Sequence, residues 1–165
     1  MSWRTPVTLT VLLVLVLGAG WYGWLNLFDS GDADSTGCVE EELAKGTRLR
    51  ARQVLVNVYN AGDVDGLAGE TMDALQQRGF RPGSAENAPE RLRVRTVAVY
   101  DSQPGSAPVR LVALQLGEKA KVFKRPDIAE GVDVVVGSRF QGIDRQARLA
   151  VSVPGREEVC VPAPR

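Results

Sequence analysis

Histidine is missing altogether from the 165 residues, and cysteine occurs only twice. The first absence removes the commonest general base at neutral pH together with the commonest metal ligand. Two cysteines cannot make a four-ligand zinc site by themselves. A surplus of either charge is missing too, since 20 Lys and Arg balance 20 Asp and Glu. A chain built mainly to hold nucleic acid through its phosphates shows a basic excess instead. Tryptophan is absent beyond residue 24, all copies being Trp3, Trp21 and Trp24. Composition thus leans away from most enzyme classes. The length suits one domain of ordinary size and is too short for two.

What the first segment does contain is an uncharged, mostly apolar run from Val7 to Phe28. As a helix that run spans a hydrocarbon core of about 30 Å. Arg4 and the amino terminus precede it, while Asp29, Asp32 and Asp34 follow. The positive-inside bias then puts residues 1–6 in the cytoplasm and everything beyond Phe28 outside. Trp3 falls at the inner interface, and Trp21, Tyr22 and Trp24 at the outer one, where amphipathic rings are favoured. The rival reading is a signal peptide cleaved near Gly18-Ala19-Gly20. Cleavage there leaves Trp21-Tyr22-Gly23-Trp24-Leu25 as an apolar new end, and the run exceeds the roughly 7–15 apolar residues of a signal peptide. A retained single-pass anchor over 7–28 is therefore preferred. In an exported chain Cys38 and Cys160 have one possible pairing, and the compartment permits it. The bridge ties the segment above the membrane to the C-terminus.

Residues 29–53 open on Asp-Ser-Gly-Asp-Ala-Asp-Ser-Thr-Gly and read as a solvated spacer, with a short helical turn at 40–45. Residues 54–60 are a β-branched strand closed by Asn-Ala-Gly. Asp65 is placed to cap a helix whose apolar stripe is Leu67, Ala68, Met72 and Leu75, stopped at Gly79. A short strand follows Phe80, and residues 93–100 form another. Residues 107–116 suit a helix ended by Gly117, 121–124 a brief strand, and 132–137 a nearly continuous apolar strand. Residues 142–165 read as a tail, with a strand at 147–153, tied down by Cys160. Strands alternating with helices predict an α/β domain over 54–141. The echo of Val56-Asn57-Val58-Tyr59-Asn60 in Val97-Ala98-Val99-Tyr100-Asp101 makes it a two-layer sandwich of two βαβ-like halves, preceded by one transmembrane helix.

Val56-Asn57-Val58-Tyr59-Asn60-Ala61, Gly66-Leu67-Ala68, Ala74-Leu75-x-x-Arg78-Gly79-Phe80 and Glu86-Asn87-Ala88 together resemble the LytR C-terminal domain family. The Thr96–Tyr100 strand and Val132–Phe140 supply the remaining landmarks, so the resemblance covers about 54–140. It implies an accessory domain. In LytR-CpsA-Psr proteins that domain follows a catalytic domain that attaches anionic polymers to peptidoglycan. It also occurs alone behind a single membrane span, chiefly in actinobacteria, with an implied role in envelope integrity. The layout here resembles the second arrangement. Only an anchor and a spacer precede residue 54, so neither phosphotransferase activity nor catalytic residues are carried over.

Several constellations invite a sharper reading. Gly62, Gly66 and Gly69 follow a strand and open a helix, but their spacing is not the dinucleotide fingerprint. Asp63 and Asp65 also oppose any phosphate there, so tight turning at Gly62 and close helix–sheet packing at Gly69 are expected instead. Asp63 and Asp65 read as capping residues rather than paired catalytic acids. Asp29, Asp32 and Asp34 lack the glycine and terminal glutamate of a calcium loop. Arg48, Arg50 and Arg52 alternate, as do Arg91, Arg93 and Arg95, with Lys119, Lys121, Lys124 and Arg125 nearby. Guanidinium forks on one side of an extended segment suit phosphate or carboxylate groups of wall polymers. The plainer reading is a solvated strand edge. Asn57 and Asn60 must find hydrogen bonds within an apolar strand, either by bracing a loop or by contacting a ligand. The ligand-binding candidates are therefore Arg91, Arg93, Arg95, Asn57 and Asn60, with no catalytic or metal-binding residues and no cofactor.

The expected function is that of a non-catalytic, membrane-anchored envelope protein with its C-terminal domain outside the membrane. It would bind a cell-wall glycan, an anionic wall polymer or another envelope membrane protein, and no nucleic acid. An enzyme of wall polymer assembly, or an obligatory accessory subunit of one, is the alternative.

Overall fold

The computed structural model describes residues 38–89 and 92–162. In chain order the strands are β1 (Cys38–Leu43), β2 (Arg48–Arg50), β3 (Leu55–Asn60), β4 (Arg81–Asn87), β5 (Val97–Asp101), β6 (Lys121–Lys124), β7 (Val132–Val136), β8 (Ala150–Ser152) and β9 (Glu157–Pro162). The helices are α1 (Leu67–Gln77) and α2 (Ala107–Leu116), and a 3-10 turn spans Ala51–Gln53. The chain divides into two units, Met1–Ser35 and Thr36–Arg165, and this fold is that of the second. The expected anchor at 7–28 and the aspartates of 29–34 lie outside the described residues. Among the described residues no helix is long and apolar enough to cross a membrane.

β-branched residues build the centre. Five strands form one mixed sheet in the order β4-β3-β7-β5-β6. β3 runs parallel to β4 and to β7, while β5 runs parallel to β6 and antiparallel to β7. β3–α1–β4 and β5–α2–β6 are thus strand–helix–strand units of opposite direction, joined through β7. Alternation along the strands sorts side chains between the two faces. Val56, Val58, Val99, Val134 and Val136 pack with Met72 and Leu75 of α1 and Val109, Val112 and Leu116 of α2. On the other face Tyr59, Ala98, Tyr100 and Val135 are covered by Ala88, Leu92, Val94 and Ile128 from loops.

The helix ends explain the local geometry. Gly66, at φ 77°, occupies the N-cap of α1, so the cap expected from Asp65 is not made. Gly79, at φ 89°, follows the helix and turns buried Phe80 into the core. α2 has Pro108 in its first turn and no cap from Ser106. Instead Ala107 N–H donates to the Glu157 carboxylate at 2.9 Å, so β9 supplies the acceptor that the helix end needs.

Within the described residues, parts of the segments read as spacer and tail are paired with each other. β1 runs antiparallel to β9, and β2 antiparallel to β8. Leu43, Leu49, Val153 and Val159 from these ribbons join the main core. The helical turn expected at 40–45 is strand β1 for most of its length, because pairing with a distant partner outweighs the local preference of three successive glutamates.

Candidate functional site

Three polar regions stand out on this frame. The first is internal. Asp133, fully buried in β7, lies opposite Asn57 of β3. The Asn57 amide donates to Asp133 Oδ1 at 3.0 Å and to the Glu130 carbonyl at 2.8 Å, and its oxygen accepts Ser84 N–H at 2.9 Å. Ile128 N–H and Ala129 N–H donate to Asp133 Oδ2. Burial pushes the Asp133 carboxyl up, against the pull of those donors. The ladder between β3 and β4 shifts register between Val56 and Val58, and a side chain at Gly83 would strike Asn57 Oδ1. Asn57 is 2% exposed with its amide hydrogens and its oxygen engaged, so it braces a loop and a bulge.

Asn60 braces a second loop. Its amide donates to the Val64 carbonyl at 2.8 Å and its oxygen accepts Gly62 N–H at 2.9 Å, shaping the approach to α1. A Cβ at Gly62 would strike the Ser138 backbone nitrogen, which is why glycine is required there. A Cβ at Gly69 would have nothing within 4 Å, so the close helix–sheet packing expected there is not the reason for that glycine.

The second region is an acidic cleft of about 250 Å³ where Glu40, Asp101, Asp127, Glu130 and Glu158 meet. Asp101 is 8% exposed, and its carboxyl is pushed up to about 6 by burial, opposed by the Gln103 N–H and raised further by Asp127 and Asp133. Gln103 N–H donates to Asp101 Oδ1 at 2.6 Å, and Ser102 N–H to Asp127 Oδ1 at 2.8 Å. Among the described residues no three His, Cys, Asp or Glu side chains are placed to hold a metal ion.

The third region is an open groove of about 610 Å³ lined by Arg48, Arg50, Arg52, Arg78 and Arg148, with Leu149 beside them and no acidic residue among the described lining. Arg78 is spent on structure: its guanidinium donates to Gln115 Oε1 at 3.1 Å and to the carbonyls of Arg145 and Ala147. Arg48, Arg50, Arg52 and Arg148 are exposed, and among the described residues they meet no carboxylate.

The second arginine set fares differently. Arg91 lies outside the described residues. Arg93 and Arg95 are exposed and precede β5, which begins at Val97 and not at 93. Leu92 and Val94, alternating with them, pack onto the second face of the sheet. Just before the strand the Val94–Arg95 backbone lies so close to Gly137 that a Cβ there would strike the Val94 carbonyl oxygen, so residue 137 must be glycine. Neither arginine lines the groove. The alternation of Arg48, Arg50 and Arg52 was legible, whereas Arg78 and Arg148 reach the same place only through the fold. Asp133, a lone carboxylate between valines, carried the same signal as Asn57.

The family described as LytR cell envelope-related transcriptional attenuator matches residues 53–140, more than half of the chain. The chain belongs to this family. The matched LytR C-terminal stretch takes in the five-stranded sheet and both helices, and leaves β1, β2, β8 and β9 on either side of it. No curated protein matches the chain. Among solved structures it is similar to the soluble domain of a conserved hypothetical secreted protein from Mycobacterium marinum. The two are 19% identical over 64% of this chain and 76% of that one, with a TM-score of 0.49.

Proposed function

We propose that this chain is a single-pass, non-catalytic cell-envelope protein. Residues 7–28 anchor it, residues 1–6 face the cytoplasm, and the α/β domain stands outside the membrane, where it binds a wall component in support of envelope integrity. The charge asymmetry of Arg4 against Asp29, Asp32 and Asp34 supports this orientation. Cys38 and Cys160 form a disulfide bracing the β1–β9 ribbon. In its register Cys38 is opposite Pro162 and Cys160 opposite Glu40, which makes the two cysteines diagonal neighbours in the ladder.

The observation that carries the binding role is the arginine groove. It is open and cationic, and its described lining carries four exposed arginines with no acid among them, which equips it to grip an anion. Another envelope membrane protein is the second candidate partner. An enzymatic or accessory role in wall polymer assembly is favoured by one feature, the raised carboxyl of Asp101 in a cleft with other acids. Against it, that carboxylate and Asp127 are tied to backbone N–H groups of the turn at 102–103.

The test is cosedimentation of the full chain, in neutral detergent, with purified walls that either carry their attached polysaccharide or have been stripped of it. Salt-sensitive pelleting is expected, and the difference between the two preparations identifies the component. Failure to pellet at high wall loading refutes direct wall binding and points to a membrane-protein partner.

A further inference from the structure

We infer that the arginine groove is a site for an anionic glycan, a polymer carrying carboxylate or phosphate groups at intervals along its sugars. This rests on the wall-binding reading and names the ligand class within it.

The β2–β8 ribbon makes the groove. Leu49 points inward and is fully buried, so Arg48 and Arg50 share the outer face of β2, about 7 Å apart along the strand. Across the ladder Arg48 faces Ser152 and Arg50 faces Ala150. Long cationic side chains therefore stand opposite short ones, and that height difference opens a trough. The pairing continues one step further, where Ala51 N–H donates to the Leu149 carbonyl at 3.0 Å. This extension brings Arg52 and Arg148 to the end of the same trough.

Arg78 adds charge beside the trough. Its donors go to an amide oxygen and two carbonyls, so its charge is fixed in place without being neutralised. Like charges gathered without a counter-ion repel one another, and a ligand with several anionic groups relieves that repulsion. A single compact anion would satisfy only part of so extended a set. Leu149 is 43% exposed in the same lining and offers an apolar contact for the carbon face of a sugar ring. That contact, together with the concave shape, favours a glycan over a flat anionic membrane surface.

The experiment titrates the full chain, held in phosphatidylcholine nanodiscs, with poly(galacturonic acid), poly(glycerol phosphate), neutral dextran and phosphatidylglycerol vesicles. At low salt the two anionic polymers should bind and dextran should not. The triple variant Arg48→Gln, Arg50→Gln, Arg148→Gln should lose about tenfold or more in affinity and show a flatter salt dependence. The corresponding triple Lys variant, which keeps the charge, should retain salt-dependent binding. Lys121→Gln with Lys124→Gln, on the exposed strand β6, should bind as wild type does.

Wild-type affinity in a folded triple Gln variant, equal binding of dextran, or tighter binding to the vesicles than to either polymer would each overturn the site. Undiminished pelleting of the triple Gln variant with walls would also overturn it, while leaving wall binding intact. Groove-dependent binding to the polymers without pelleting on walls would uphold the site and refute the wall-binding reading.

Discussion

Replacing Asp101 by Asn should stabilise the domain at neutral pH and bring no gain in acid. Asp101 ends β5, is 8% exposed, and carries a carboxyl raised from the ordinary 3.8 to about 6, chiefly by burial. A folded-state value above the unfolded one means that the folded protein binds the proton more tightly. The associated stability is then fully present below the unfolded value and is lost as pH rises through the folded one. The gap corresponds to about 3 kcal/mol between acid and neutral solution. That is a large share of a total that is typically about 5–15 kcal/mol.

Asparagine is neutral at every pH and retains the oxygen that accepts the Gln103 N–H. Its extra amide hydrogens need partners where the carboxylate had an oxygen, so the expected gain is about 2–3 kcal/mol above pH 7. The gain should shrink through the window from about 6 to about 4, and below it the variant should be level with wild type or up to about 1 kcal/mol less stable, the cost of the extra amide hydrogens. Removing the Asp101 charge also relieves Asp133, which burial raises as well, and this acts in the same direction. The assay is denaturant unfolding of wild type and variant across that pH range, followed by far-ultraviolet circular dichroism. The tryptophans are unsuitable reporters because all lie before residue 25. A difference between the two proteins that is the same in acid as at neutral pH would refute the reasoning.

Asn57→Ala removes the side-chain donor to Asp133 Oδ1 and to the Glu130 carbonyl, and the acceptor of Ser84 N–H. A destabilisation of about 3–5 kcal/mol is expected by denaturant unfolding, and a loss under about 1 kcal/mol would show that water or rearrangement replaces the network. Reduction of the full chain, or Cys160→Ser, should lower stability by about 4–5 kcal/mol less any strain in the bridge, the value for closing a loop of this length. An unchanged unfolding midpoint under reductant would show that Cys38 and Cys160 are not joined.

Local chemistry carried much of the fold. α2 and β6 were readable in full, because Pro108, the apolar stripe and Gly117 bound the helix, and Lys121–Lys124 is a compact extended run. β3 and β7 declared themselves through valines in succession. β1 did not, since Glu40, Glu41 and Glu42 have little strand preference and their partner is at the far end of the chain. β4 contains Pro82 and Gly83, which argue against a strand in general. As the edge of the sheet it needs ladder partners on one side alone, and the glycine makes room for Asn57. Asp65 looked like a cap because its residue type suits one, but Gly66 reaches a positive φ that aspartate does not readily take. For the arginines, alternation identified Arg48, Arg50 and Arg52 as a set. Nothing short of the ladder between β2 and β8 places Arg148 with them.

The balance of 20 acidic and 20 basic residues is therefore a poor guide to the surface. Five carboxylate residues gather in one cleft and five arginines in one groove, so a neutral average conceals two faces of opposite sign. The charged residues of the two sites come from different parts of the chain. Of the groove arginines, Arg78 lies within the matched stretch 53–140, and it is the one committed to internal hydrogen bonds. Arg48, Arg50, Arg52 and Arg148, whose charges face solvent, all lie outside that stretch. Glu40 and Glu158 of the acidic cleft also come from the flanking ribbon. The family sheet with its two helices thus acts as the support on which the paired ends of the chain display charge. Under the proposed groove site, a change of ligand would need new side chains on two short ribbons and would leave the valine core as it is.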